Sequence, residues 1–144
     1  MKATLALFCL CAACGPVSQP EIDAAIAEVT AETRAAFGHD IIDTDGVVVN
    51  WHLENMDKEW PTIGHTSCAG GQCDIVFSEH MRHSEVLPCV AHEIGHALGL
   101  PHSKDPNDIM YPEAPQISAA EAAWDLRLAC RQFNCAGKLD IVRR

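Results

Sequence analysis

From Pro20 onward, Ile22, Ile26, Val29, Thr33 and Phe37 recur at spacings of three and four, which predicts a helix over Glu21–Phe37 with one apolar face. Glu21 and Asp23 sit in its first turn, where the helix dipole favours them, and Gly38 is a stop. Asp43-Thr44-Asp45-Gly46 then predicts a turn, and Val47 to Trp51 a strand. Ile63–Ala69 and Gln72–Ser78 read as two hairpin arms around Gly70-Gly71. That turn would pair Ala69 with Gln72, and Cys68 with Cys73. The cysteine pair falls at a non-hydrogen-bonded position, with Cα atoms about 4.5 Å apart, within reach of a disulfide. A helix follows over 85–99. A final helix starts at Ser118, with Glu121 completing a capping box. Ala122, Leu126 and Ala129 form its stripe, with Leu128 beside it.

The chain start carries a different signal. Lys2 precedes an apolar run from Ala3 to Ala13, too short to span a bilayer, where about 20 residues are needed. It fits an export signal over 1–13. Small residues directly before Cys14 resemble a bacterial lipoprotein signal, which implies lipidation at Cys14, a tether over 14–19 and one domain over 20–144. Ordinary secretion or a periplasmic location is the other reading. Export permits disulfides. Cys89 is expected to be buried or bridged to Cys130 or Cys135 near the end of the last helix.

Composition narrows the function. The chain has 144 residues, 48% hydrophobic, enough for one domain with a real core. The net charge of −10 argues against a nucleic-acid partner, which needs a basic footprint. Any membrane contact would come through the lipid anchor alone. The size suggests a monomer.

The eight histidines supply the chemistry. His92 and His96 are one helical turn apart, so both imidazoles can reach one metal. Gly99 and Pro101 end that helix, and a turn at Gly99 brings His102 back as a third ligand. Three neutral imidazoles leave the fourth position of a tetrahedral Zn²⁺ open for water. Glu93 lies beside that position and can take the water's proton. His80 and His83 read as surface residues.

His92-Glu93-Ile94-Gly95-His96-Ala97-Leu98-Gly99-Leu100-Pro101-His102 carries the metzincin signature of zinc peptidases, HExxHxxGxxH. Ser103 after the third His and Met110-Tyr111-Pro112 downstream resemble the matrixin branch. The resemblance implies an α+β metzincin-like domain. Its twisted mixed sheet packs on two helices, one of them the zinc helix, followed by a Met-turn and a C-terminal helix. It implies zinc-dependent endopeptidase chemistry on a protein or peptide substrate, by a metal-activated water with Glu93 as general base. Met110 would be the Met-turn residue. Ile63, Gly64 and His65 on an edge strand would pair with substrate, and Pro88, Tyr111 and Pro112 would line its pocket. Val76 or Ile75 stands where the family has a histidine ligand, so the resemblance implies one catalytic zinc here and no structural second. Matrixins often bind Ca²⁺. Asp43–Gly46 has part of a calcium loop but lacks its central acidic ligand, so Ca²⁺ stays open. Ala114 replaces an expected pocket tyrosine. A second class of function is a catalytically inactive, zinc-containing binding protein of the cell envelope. Glu93, which a pure binder does not need, weighs against it.

Overall fold

The computed structural model describes residues 15–37, 42–55, 62–113, 118–133 and 139–143, with side chains described over 15–33, 49–55, 62–113 and 118–128. Among these, three α-helices and four strands run in the order α1 (Gln19–Phe37), β1 (Ile42–Glu54), β2 (Gly64–Ala69), β3 (Gln72–Ser78), α2 (Val86–Ala97), α3 (Ala119–Phe133) and β4 (Leu139–Arg143). Cys14 and the lipid-signal segment lie outside the described residues, as do Ala114, Cys135 and the side chain of Cys130.

The anticipated face of α1 is the one that is buried. Ile22 and Val29 are fully enclosed, with Ala25 and Thr33 beside them. Ser18 precedes α1 and shares a capping exchange with Glu21, its backbone N–H and hydroxyl both donating to Oε2 at 2.9 and 2.7 Å. Ser118 and Glu121 make the matching exchange before α3, at 2.8 and 2.7 Å. The second cap was legible from the sequence pattern, and the first has the same spacing.

The sheet has the order β2-β3-β1-β4. β1 runs parallel to both β3 and β4, and β2 is antiparallel to β3 at the edge. The hairpin register is the expected one, with Ala69 opposite Gln72 and Cys68 opposite Cys73. Cys68 and Cys73 are joined in a disulfide, their Cα atoms 4.0 Å apart. Val49, Trp51, Cys73, Ile75 and Phe77 form the buried face of the sheet, with Trp51 and Phe77 edge-to-face at 6.1 Å between ring centroids.

The structure departs from the sequence pattern at two places. Asp43–Gly46 is not a free turn between elements. It lies within β1, where Ile42 and Val47 both face Leu139, so the excursion is a register shift inside one strand. β4 was not anticipated. Its apolar content is only Leu139, Ile141 and Val142 among charged neighbours, and its partner β1 is far away in sequence. Of the two fates expected for Cys89, buried or bridged, the first holds, and its thiol is free.

Helix α2 is the centre of the domain. Ten of its twelve residues are buried, Glu93 and His92 among them, so it is enclosed on nearly every side. A short 3₁₀ turn, His83–Glu85, leads into it. It packs on α1, α3 and β2. Gly95 allows the contact with α3 and the following loop, because a Cβ there would overlap the Met110 sulfur and stand 3.1 Å from Leu126 Cδ2.

Candidate metal centre

The end of α2 creates the site. The chain leaves the helix through Gly99, at φ +90°, a left-handed conformation that favours glycine. Gly99 N–H donates to the His96 carbonyl at 2.9 Å and Leu100 N–H to the Gly95 carbonyl at 3.0 Å. This pair of bonds is a Schellman turn, and it reverses the chain beside the helix it ends. Leu100, Ile109 and Met110, all buried, anchor the loop that follows. Ser103 N–H donates to the Met110 carbonyl at 2.8 Å and closes it. Asp108 Oδ1 accepts from Met110 N–H at 2.8 Å, which holds the turn at Met110.

The loop brings His102 to His92 and His96. His96 Nε2 lies 3.1 Å from Nε2 of His92 and 3.1 Å from Nε2 of His102. The loop also sets the protons. His92 Nδ1 faces the Ile109 carbonyl at 2.7 Å, and His96 Nδ1 faces the Leu100 carbonyl at 2.9 Å. A carbonyl only accepts, so each Nδ1 carries the hydrogen and each Nε2 presents a lone pair. Burial pushes His92 down to about 4, against the pull of the Ile109 carbonyl, so this imidazole is neutral near pH 7.

Lone pairs aimed at one another have no hydrogen to share. A cation between them resolves the arrangement. Two Zn–N bonds of about 2.0–2.1 Å at a tetrahedral angle span about 3.3–3.4 Å, close to the separations found. Neutral imidazoles held by carbonyl acceptors are the usual ligand set for Zn²⁺. The three residues therefore fit zinc in donor type and spacing, and His92 and His96 also in tautomer. They are also the group of potential metal ligands that clusters among the described residues.

Glu93, one residue after His92, is 4% exposed. Its Oε2 accepts a hydrogen bond from the Thr66 hydroxyl at 2.5 Å. Burial, the largest influence, raises its carboxyl above the ordinary 4.5, and the Thr66 bond and the nearby His65 and His102 oppose that rise. Thr66 was not anticipated. The available signal was the period of two in β2, which puts Thr66 on the same face as Gly64, next to α2.

A cleft of about 960 Å³ runs between β2 and the three histidines. Ile63, Gly64, His65, Thr66, Cys89, Glu93, His92, His96, His102 and Pro112 are on its wall. The Arg82–Glu85 ion pair, 3.0 Å, is at its edge. Pro88 is buried within α2 and Tyr111 is half-buried, and neither is part of this wall. Tyr111 N–H caps the turn by donating to the Asp108 carbonyl at 2.9 Å. His80 and His83 lie away from this cleft. His80 contacts Asn55 Oδ1 at 2.7 Å, and His83 contacts Glu21 and, at 3.1 Å, the Gly15 carbonyl.

Helices on a mixed sheet thus carry a cluster of three histidines suited to a metal ion. The matrixin family profile matches residues 23–126, and the chain belongs to the matrixin family. Matrix metalloproteinase-21 of Mus musculus is 42% identical over 60 residues, 40% of this chain and 11% of that protein. Its Homo sapiens counterpart is 41% identical over 58 residues, 38% and 10% of the two chains. A probable matrix metalloproteinase of Invertebrate iridescent virus 3 is 64% identical over 28 residues, 19% and 8%. The chain thus spans about a tenth of the length of the curated relatives it matches.

Proposed function

We propose that this protein is a zinc endopeptidase in which His92, His96 and His102 hold one Zn²⁺ through Nε2 and Glu93 is the general base. The observation that carries the reading is the convergence of the Nε2 atoms at 3.1 Å, with two tautomers fixed by the carbonyls of Ile109 and Leu100. Zn²⁺ bound there supplies Lewis acidity, lowering the pKa of a water and polarising the scissile carbonyl. Glu93 accepts the proton of the attacking water and returns it to the leaving amine. Its buried position keeps bulk water from competing for that proton. Met110 supports the histidine helix from below through its contact with Gly95.

The substrate is an extended peptide. Strand β2 has β3 on one side and the cleft on the other. The Ile63 carbonyl is taken by Ser78 N–H at 2.9 Å, and by the alternation of an antiparallel pair it is Gly64, between Ile63 and His65, whose backbone groups face the cleft for strand addition. Pro112 borders the pocket beyond. The Cys68–Cys73 disulfide suits an oxidising compartment, in line with export and lipidation at Cys14. No described helix is long and apolar enough to cross a membrane.

Zinc content and peptide cleavage test the reading together. The protein should bind one zinc and cleave peptides in a chelator-sensitive way, and His96→Ala should lose both. A His96→Ala protein that keeps stoichiometric zinc and activity would overturn it.

A further inference from the structure

The base named above is held by a residue outside the HExxHxxGxxH segment. The Thr66 hydroxyl lies 2.5 Å from Glu93 Oε2 and 3.3 Å from the Glu93 backbone carbonyl. Its single proton goes to the nearer acceptor, the carboxylate oxygen. The second carboxylate oxygen is hemmed in from the same strand. A Cβ on Gly64 would stand 2.8 Å from Glu93 Oε1 and 2.7 Å from Cys89 Sγ. The carboxylate thus occupies a slot between β2 and α2, bonded on one oxygen and shaped around the other.

We propose that Thr66 is a positioning residue for the peptidase reaction, its hydroxyl fixing the plane of the Glu93 carboxylate from which the base works. The proposal rests on the reading of Glu93 as general base. A glutamate side chain has three rotatable bonds, and a base must stand about 2.6–3.2 Å from the proton it takes. Thr66 is suited to restrain it. A β-branched side chain in a strand is stiff at χ1, and Thr66 is pinned by its pairing with Ile75 in β3. The edge strand that would receive substrate is the same strand that orients the base, so substrate pairing along β2 and base alignment share one element.

Thr66→Val keeps the shape and removes the hydroxyl, and Thr66→Ser keeps the hydroxyl. With the zinc-loaded full chain, Thr66→Val should lower kcat by about ten- to a hundredfold, the cost of a small misplacement of a catalytic group. KM should stay within about twofold, because no substrate contact is removed. Thr66→Ser should recover most of kcat. Zinc content and Tm should match the wild type in both. Should Thr66→Val not fold, Thr66→Ala replaces it against the same Ser control. A readout independent of turnover comes from NMR: a slowly exchanging Thr66 hydroxyl proton in the wild type that vanishes in Glu93→Ala, which removes the acceptor. Wild-type or raised kcat in Thr66→Val, or equal losses in Val and Ser, overturns the positioning role. A Glu93→Ala protein that retains turnover overturns the general-base reading instead, and this proposal with it. An inactive Glu93→Ala beside an unimpaired Thr66→Val overturns the proposal alone.

Discussion

Gly95→Ala sets two opposing effects against each other. In a helix interior alanine is favoured over glycine by about 1 kcal/mol. Against that, the new Cβ would overlap the Met110 sulfur and lie 3.1 Å from both Met110 Cε and Leu126 Cδ2. Met110 is 2% exposed and Leu126 fully buried, so neither has space to retreat. Overpacking of this kind costs about 1–3 kcal/mol, and three contacts on enclosed atoms put it in the upper part, about 2–3. The net expectation is a loss of about 1–2 kcal/mol, a fall in Tm of roughly 3–10 °C for a domain of this size. Thermal unfolding of the zinc-free protein reads it directly. The clash also makes a second demand. Met110→Ala alone leaves a cavity and costs about 2–5 kcal/mol, but in Gly95→Ala it removes the overlap, so the double variant should be less destabilised than the sum of the two. A Tm at or above the wild type for Gly95→Ala, or strict additivity with Met110→Ala, would refute the account of how Met110 supports the histidine helix.

Other expectations follow from the same contacts. Burial, with Glu93 and Glu85 adding to it, pushes the Cys89 thiol well above its usual range, so maleimide should label Cys89 in denaturant and not in the native protein at pH 8. The Cys68–Cys73 bridge closes a short loop, and Cys68→Ser with Cys73→Ser should lower stability by about 2 kcal/mol, read by urea unfolding. Glu121 is held below 4.5 by the Ser118 backbone N–H and then the Ser118 hydroxyl. A depressed carboxylate contributes stability that is present above its unfolded pKa and lost as pH falls through the folded one. In Ser118→Ala the NMR titration midpoint of Glu121 should therefore rise toward the unfolded value, and the stability lost on acidification from this group should be smaller and complete at higher pH.

Much of the fold follows from local patterns. The face of α1, the hairpin register and the cap of α3 depend on residues close together in sequence, and their spacing alone predicts them. The histidine cluster was equally legible, because two ligands share a helix and the third follows a glycine turn. What stayed hidden depends on distant partners. β4 forms by pairing with β1 across most of the chain. Asp43–Gly46 has turn chemistry, yet flanking pairing to Leu139 keeps it within a strand. The Thr66–Glu93 bond joins an edge strand to the central helix, and a lone threonine in a strand gives no sign of it. Pro88 is off the cleft wall because α2 is enclosed on nearly every side. Cys89 stays unbridged because it faces Glu93 and Gly64 inside the domain.

The most direct test of the central claim is peptide cleavage by Glu93→Ala, measured beside its zinc content. The histidine cluster does not depend on the Glu93 side chain, so the variant should hold one zinc per chain. With no group left to take the proton of water, it should cleave a quenched-fluorescent peptide library at a rate several orders of magnitude below wild type, or not at all. A zinc-loaded Glu93→Ala protein that cleaves like the wild type would contradict the account.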